Sequence, residues 1–222
     1  MQLLSHQAVP TRPLRVAASR ELIRIGEADV NIAIWSREIP LLEERVEAMI
    51  QQSDLAASVV TDVRRPETFL EVVSDVPDKL VASAILADLK TLLPIFATAL
   101  QSSRARVRLE TVRNGACRKL HADMVFLRLL CTYGGPATEW VAEQHVVRKN
   151  LGRTDVDVEA ANASVLRSPK SLNRANPGDV LFLKGERWPG FRGRGAIHRS
   201  PPLPSCCSAR LVLKADPADD KY

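Results

Sequence analysis

The triplet His121-Ala122-Asp123 offers the spacing best suited to chemistry in this 222-residue chain. In a strand, residues i and i+2 point to one face, so the imidazole and the carboxylate could both reach one ion. A second imidazole, His198, lies in a later strand-like stretch, Ala196-Ile-His-Arg-Ser. Two imidazoles and one carboxylate on one face of a divalent metal make the facial triad of non-haem Fe(II) sites, with the other positions left for substrate and O2. Arg210 stands in the next apolar run, Ala209-Arg-Leu-Val-Leu-Lys-Ala. A guanidinium there could make a bidentate pair with a carboxylate bound at the metal. Arg128 interrupts another apolar run and needs a partner; it is a second candidate for holding an acid in the pocket.

Each of these residues also has a plainer role open to it. His121 and His198 could be hydrogen-bonded core histidines, and Asp123 a turn acceptor. Arg210 could pair with a surface carboxylate, and Arg128 could sit on the outer face of a half-exposed strand. Cys117 precedes His121 by four residues; it could support the ligands, but a buried inert thiol is the ordinary reading. Cys206-Cys207 reads as a reduced pair in a loop, with a redox or soft-metal role as the alternative. Glu139-Trp140 and Glu186-Arg187-Trp188 put aromatics near strand ends, for core packing or for lining a pocket. Gly190-Phe-Arg-Gly-Arg-Gly lacks the strand-turn-helix setting of a phosphate loop, and no Gly-x-Ser-x-Gly elbow is present.

These side chains must be positioned by the elements around them. Arg104-Ala-Arg-Val-Arg-Leu-Glu-Thr-Val-Arg alternates as a half-exposed strand does. Met124 to Tyr133 is an apolar β-prone run closed by Gly134-Gly135-Pro136. Pro177-Gly178-Asp179 launches Val-Leu-Phe-Leu-Lys, and Ala209 to Ala215 forms a last strand. Short strands with turn chemistry between them point to an antiparallel sandwich or jelly roll. Residues 144–176 are polar and weakly periodic, which reads as a long loop and a candidate lid. Before residue 104 the texture is different. A short strand is expected over Val30 to Ile34, a helix over 40–50, and a buried strand over 55–63. The strongest helix signal runs over 78–100, with Asp75 or Asp78 as cap and Pro94 kinking or ending it.

The order His-x-Asp, Pro-Gly-Asp turn, lone His, then Arg in a final apolar strand resembles that of the Fe(II)/2-oxoglutarate dioxygenases. The resemblance covers roughly the last 110 residues. It implies a double-stranded β-helix with His121, Asp123 and His198 on Fe(II) and Arg210 on the far carboxylate of 2-oxoglutarate. A closer match runs through Cys117-Arg-Lys-Leu-His-Ala-Asp, Arg128-Leu-Leu-Cys-Thr-Tyr-Gly-Gly-Pro-Ala-Thr-Glu-Trp, Gly178-Asp-Val-Leu-Phe-Leu-Lys-Gly-Glu-Arg-Trp-Pro-Gly and Ala196-Ile-His-Arg-Ser-Pro-Pro. These segments resemble an uncharacterised bacterial family, number 1826 among the domains of unknown function. That family supplies no known reaction, and its association with zinc-responsive gene neighbourhoods brings in a competing role. Cys206-Cys207 stands outside the oxygenase pattern. The expected fold is therefore α+β: a C-terminal jelly roll over 104–222 with an N-terminal α/β extension over 1–103, packed as one compact unit.

Composition narrows the classes further. With 45% hydrophobic and 26% charged residues, the chain is ordinary globular material able to bury a core without staples. No run of 18 uninterrupted apolar residues suggests a membrane span, and the first 16 residues lack the apolar segment of a secretory signal. Reduced cysteines in a cytoplasm are then expected. Residues 1–103 carry a net −4 and residues 104–222 a net +9. The basic half suggests an anionic ligand, a nucleic acid or an acidic partner, with a solvated surface of Arg-rich strands as the plainer reading; an anionic small-molecule substrate fits it. Nucleic acid is a minor expectation, because no basic run, zinc-finger spacing or aromatic RNA motif accompanies the charge. Two function classes result: an Fe(II)/2-oxoglutarate oxygenase, or a non-enzymatic Zn(II)-binding protein on the same scaffold, since affinity alone favours Zn(II). A cupin-type hydrolase ranks lower, for want of a further base.

Overall fold

The computed structural model describes residues 10–113, 117–204 and 209–218. In chain order the elements are β1 (Arg12–Val16), β2 (Val30–Trp35), α1 (Pro40–Ile50), β3 (Ala56–Asp62), α2 (Leu70–Val73) and α3 (Lys79–Leu100), then β4 (Arg104–Val112), β5 (Leu127–Gly134), β6 (Glu139–Val141), α4 (Val158–Val165), β7 (Leu172–Arg174), β8 (Val180–Lys184), β9 (Ile197–Arg199) and β10 (Arg210–Pro217). Seven strands form one sheet in the order β1-β2-β8-β5-β10-β4-β3, and three form a second, β7-β6-β9. Apart from the parallel β1–β2 pair, the pairings among these strands are antiparallel. The result is a mixed α/β fold with a large, mainly antiparallel sheet.

The period of two in the sequence sorts the two faces of this sheet. On β5, Leu127, Leu129, Cys131 and Tyr133 enter the core shared with the helices, while Leu130 faces the small sheet beside Trp140. On β10, Leu211, Leu213 and Ala215 take the helix side and Val212 the other. A one-residue slip would exchange these faces, so the alternation fixes the register that places Arg128 and Arg210. The strands β8, β5, β10 and β4 are contiguous and come from residues after 103. Residues before 104 add β2 and β1 at one edge and β3 at the other. The segment expected as a buried strand over 55–63 is an edge strand with alternate residues exposed.

The long helix begins where Asp78 accepts from the Leu80 and Val81 amides at 2.9 and 3.1 Å. Val81, Ile85, Leu89, Leu92, Phe96 and Leu100 form its buried stripe, and Phe96 meets Phe182 of β8 edge-on at 5.6 Å. By length and composition α3 could cross a bilayer; here its apolar stripe packs into the core beneath the large sheet. Pro94 does not end the helix, which runs on to Leu100 and stops at Gln101 with φ 54°. Pro94 and Lys90, whose carbonyl the proline leaves unpaired, are both exposed, so water can take up the lost bond. Asp88, on the same helix, accepts from Arg37 at 2.7 Å and from the Tyr133 hydroxyl at 2.9 Å. Arg37 in turn donates to the Gly178 carbonyl.

The stretch 144–176 is not a long loop. It holds short 3-10 turns, α4 and β7. The side chain of Asp157 caps α4 by accepting from the Ala160 amide at 2.7 Å. Val146 and Val165 pack with Leu120, Val141 and Ile197 in a third apolar cluster. An eight-residue helix is too short to give a clear period in the sequence, and its stability comes from this packing.

Candidate metal centre and anion cavity

The small sheet places the two histidines side by side. His198 lies on β9 opposite Trp140 of β6, and His121 pairs with it on its other side. The His121 amide donates to the His198 carbonyl at 3.1 Å and the His198 amide returns the bond at 3.0 Å. The segment leading to His121 is fixed by buried Asn162 of α4, which accepts from the Leu120 amide at 2.7 Å and donates to the Arg118 carbonyl at 2.9 Å. Beyond the triplet, the Asp123 carbonyl accepts from the Glu186 amide at 2.9 Å. Gly185 lets this turn approach so closely: a Cβ there would lie 2.0 Å from the Val125 oxygen and 2.7 Å from the Asp123 oxygen.

His121, Asp123 and His198 each offer one ligand atom, and these atoms lie within 4.8 Å of one another. His198 Nε2 is 3.2 Å from Asp123 Oδ2, and His121 Nε2 is 3.5 Å from Asp123 Oδ1. Donors about 2.0–2.2 Å from an ion and at right angles to one another stand roughly 3 Å apart, close to these spacings. The far nitrogens support the same chemistry. His121 Nδ1 is 2.8 Å from the Lys119 carbonyl and His198 Nδ1 is 3.1 Å from the Ala196 carbonyl. A carbonyl only accepts, so each Nδ1 carries a hydrogen and each ring turns its Nε2 toward Asp123. Asp123 Oδ2 is buried, and among the described residues no hydrogen bond reaches it. A buried carboxylate oxygen with its acceptor capacity unmet is costly unless a cation neutralises the group, and two imidazoles with one carboxylate fit a divalent metal.

Burial disfavours the His121 imidazolium, yet the bonds to Asp123 and the Lys119 carbonyl outweigh it and raise the pKa above its ordinary value. Burial likewise works against the Asp123 carboxylate, but His198, His121 and Arg128 hold it well below the usual range.

A cavity of about 100 Å³ adjoins the triad, and His121, His198, Arg128 and Arg210 line it. Arg210 is buried, at 6% exposure. Its Nη1 donates to the Pro136 carbonyl at 3.3 Å and its Nη2 to the Ser200 hydroxyl at 3.1 Å, while Nε has no partner among the described residues. No carboxylate pairs with it among the described residues. Burial pulls its pKa down to about 10, the mark of a cation lacking a counter-charge. Arg128 lines the same cavity, and the acids it holds belong to the chain itself: Asp123 at 2.5 Å and Asp216 at 2.6 Å. Cys117 is an exposed thiol at the cavity with φ 60°, not a buried strand residue. Cys206 and Cys207 lie outside the described residues. Trp140 is buried in the apolar cluster between the sheets, and Trp188 packs at a tilt against Phe126, with ring centres 4.4 Å apart, and covers the Lys184 ammonium.

Asp216, Asn162 and Gly185 carry parts of this site that sequence reasoning missed. Asp216 had a signal, since it shares strand parity with Arg210. The other two act through contacts between segments distant in sequence.

A family model described as protein of unknown function (DUF1826) matches residues 17–216. The chain belongs to the DUF1826 family. No curated protein matches it significantly. Among solved structures, this DUF1826 chain is similar to the rice dioxygenase for auxin oxidation, with a TM-score of 0.50 and 14% identity over 96% of this chain and 84% of that one. The dioxygenase for auxin oxidation 1 of Arabidopsis thaliana, in binary complex with 2-oxoglutarate, gives 0.48 and 11% over 94% and 91%. A Pseudomonas putida prolyl-4-hydroxylase gives 0.45 and 10% over 90% and 97%. The rice enzyme bears on the fold of the DUF1826 chain, and the chemistry must be argued from its own residues.

Proposed function

We propose that this protein is an Fe(II)- and 2-oxoglutarate-dependent oxygenase acting on a small, anionic substrate. His121, Asp123 and His198 would hold Fe(II), which with 2-oxoglutarate and O2 supplies the oxidation of an unactivated C–H bond. The observation that carries the reading is Arg210: a buried guanidinium without a carboxylate partner, lining the same cavity as two of the three ligands. A metal carrier has no use for such a cation, whereas a dicarboxylate held at the metal would bring its missing counter-charge. The chain's part is to anchor and orient that acid and to shield it from water. The strands β8-β5-β10-β4 opposite β7-β6-β9, with His121 extending the small sheet, support reading residues 104–222 as a double-stranded β-helix.

The test is an anaerobic titration with Fe(II) and 2-oxoglutarate followed by visible absorbance. A weak charge-transfer band that is lost in His121→Ala and weakened in Arg210→Ala is the expected result. No band, together with tight Zn(II) binding through the same three residues, would favour the zinc-binding role instead.

A further inference from the structure

The carboxylate of Asp123 is tied on one side only. Arg128 Nη1 meets Oδ1 at 2.5 Å, while Oδ2, without a hydrogen bond, faces His198 Nε2 at 3.2 Å. The rest of the Arg128 fork is occupied by Asp216, with Nε on Oδ1 at 2.6 Å and Nη2 on Oδ2 at 3.0 Å. Asp216 is held from its far side by Arg108. These groups form a row across three adjacent strands, β5, β10 and β4, and the Arg128, Asp216 and Asp123 side chains are at most 15% exposed.

We infer that Arg128 is a positioning residue of the metal centre: it clamps Asp123 through Oδ1, presents Oδ2 to the ion, and is itself held by Asp216. The inference rests on the metal-centre reading above. A carboxylate free to turn could bind an ion through both oxygens and take a position that a co-ligand needs. One held at Oδ1 offers a single donor. The assignment also removes Arg128 from the set of groups that could bind a cosubstrate, because its fork is already filled by acids of the chain.

Co(II) binding to the full chain tests this, read as affinity against a chelating dye and as the visible d–d spectrum. Arg128→Gln and Arg128→Lys are each expected to weaken binding about 10- to 100-fold and to change the spectrum, because neither replacement offers the fork. Asp216→Asn leaves Arg128 in place but loosens it, and is expected to weaken binding about tenfold; this variant decides the matter should the Arg128 variants fail to fold. A guanidinium acting only as a charge would repel the ion, so Arg128→Gln would then bind Co(II) more tightly. That result, or an unchanged affinity and spectrum in Asp216→Asn, overturns the inference. If the wild-type chain takes up no Co(II), or His121→Ala takes it up equally well, the metal-centre reading itself falls.

Discussion

Among the described residues, Arg210 combines burial, an unpaired Nε and neutral partners, so it is a cost to the folded chain unless an anion neutralises it. Stability and binding should therefore move in opposite directions. Arg210→Met is expected to raise the melting temperature of the metal-free protein while weakening 2-oxoglutarate binding roughly ten- to hundredfold, the worth of hydrogen bonds to a charged group. Thermal unfolding with and without 2-oxoglutarate checks both halves, and a variant that melts lower and binds equally would contradict the role. His121 and Asp123 were legible as a pair from their i, i+2 spacing and His198 and Arg210 from the order of the motifs; the structure brings the first three together and sets Arg210 on the adjoining cavity. The sequence did not reveal that Arg128 is spent on Asp123 and Asp216, since that depends on which strand lies between β5 and β4.

The element that holds the triad is the turn after Asp123 packed against the turn at Gly185. That contact leaves no space for a side chain, with a Cβ falling 2.0 Å from the Val125 oxygen. Gly185→Ala must push the Asp123 segment away, which is expected to cost several-fold or more in metal affinity and about 1–3 kcal/mol of stability, as overpacking does. Metal titration and urea unfolding of the variant measure the two effects, and full metal affinity would mean that the turn does not position Asp123. Helix α4 supports the other side of the triad through Asn162. The sequence signalled β4, β5, β8, β10 and α3 well, because each is long enough or periodic enough to show its buried face. It missed α4 and β7, whose short spans carry little period and take their order from the apolar cluster with Leu120 and Ile197.

On the scale of the whole molecule, the Arg37–Asp88–Tyr133 network ties α3 to the sheet on the side away from the metal centre. Asp88→Ala takes the carboxylate from the half-buried Arg37 guanidinium and the acceptor from the Tyr133 hydroxyl, which costs about 1–3 kcal/mol. Chemical denaturation should record that loss while Co(II) affinity stays at the wild-type value; a parallel fall in affinity would mean that the helical layer and the metal centre are coupled. Arg37 and Asp88 are 51 residues apart, and nothing in their local sequence links them. The strand order has a consequence for synthesis. β4 and β5 follow one another in the chain but are not neighbours in the sheet, because β10 lies between them. Until β10 leaves the ribosome, β4 and β5 each present a bare row of amides and carbonyls at the middle of the future sheet. The same late strand brings Arg210 and Asp216. The unpaired buried guanidinium and the acid that holds Arg128 therefore arrive together, with the strand that closes the sheet.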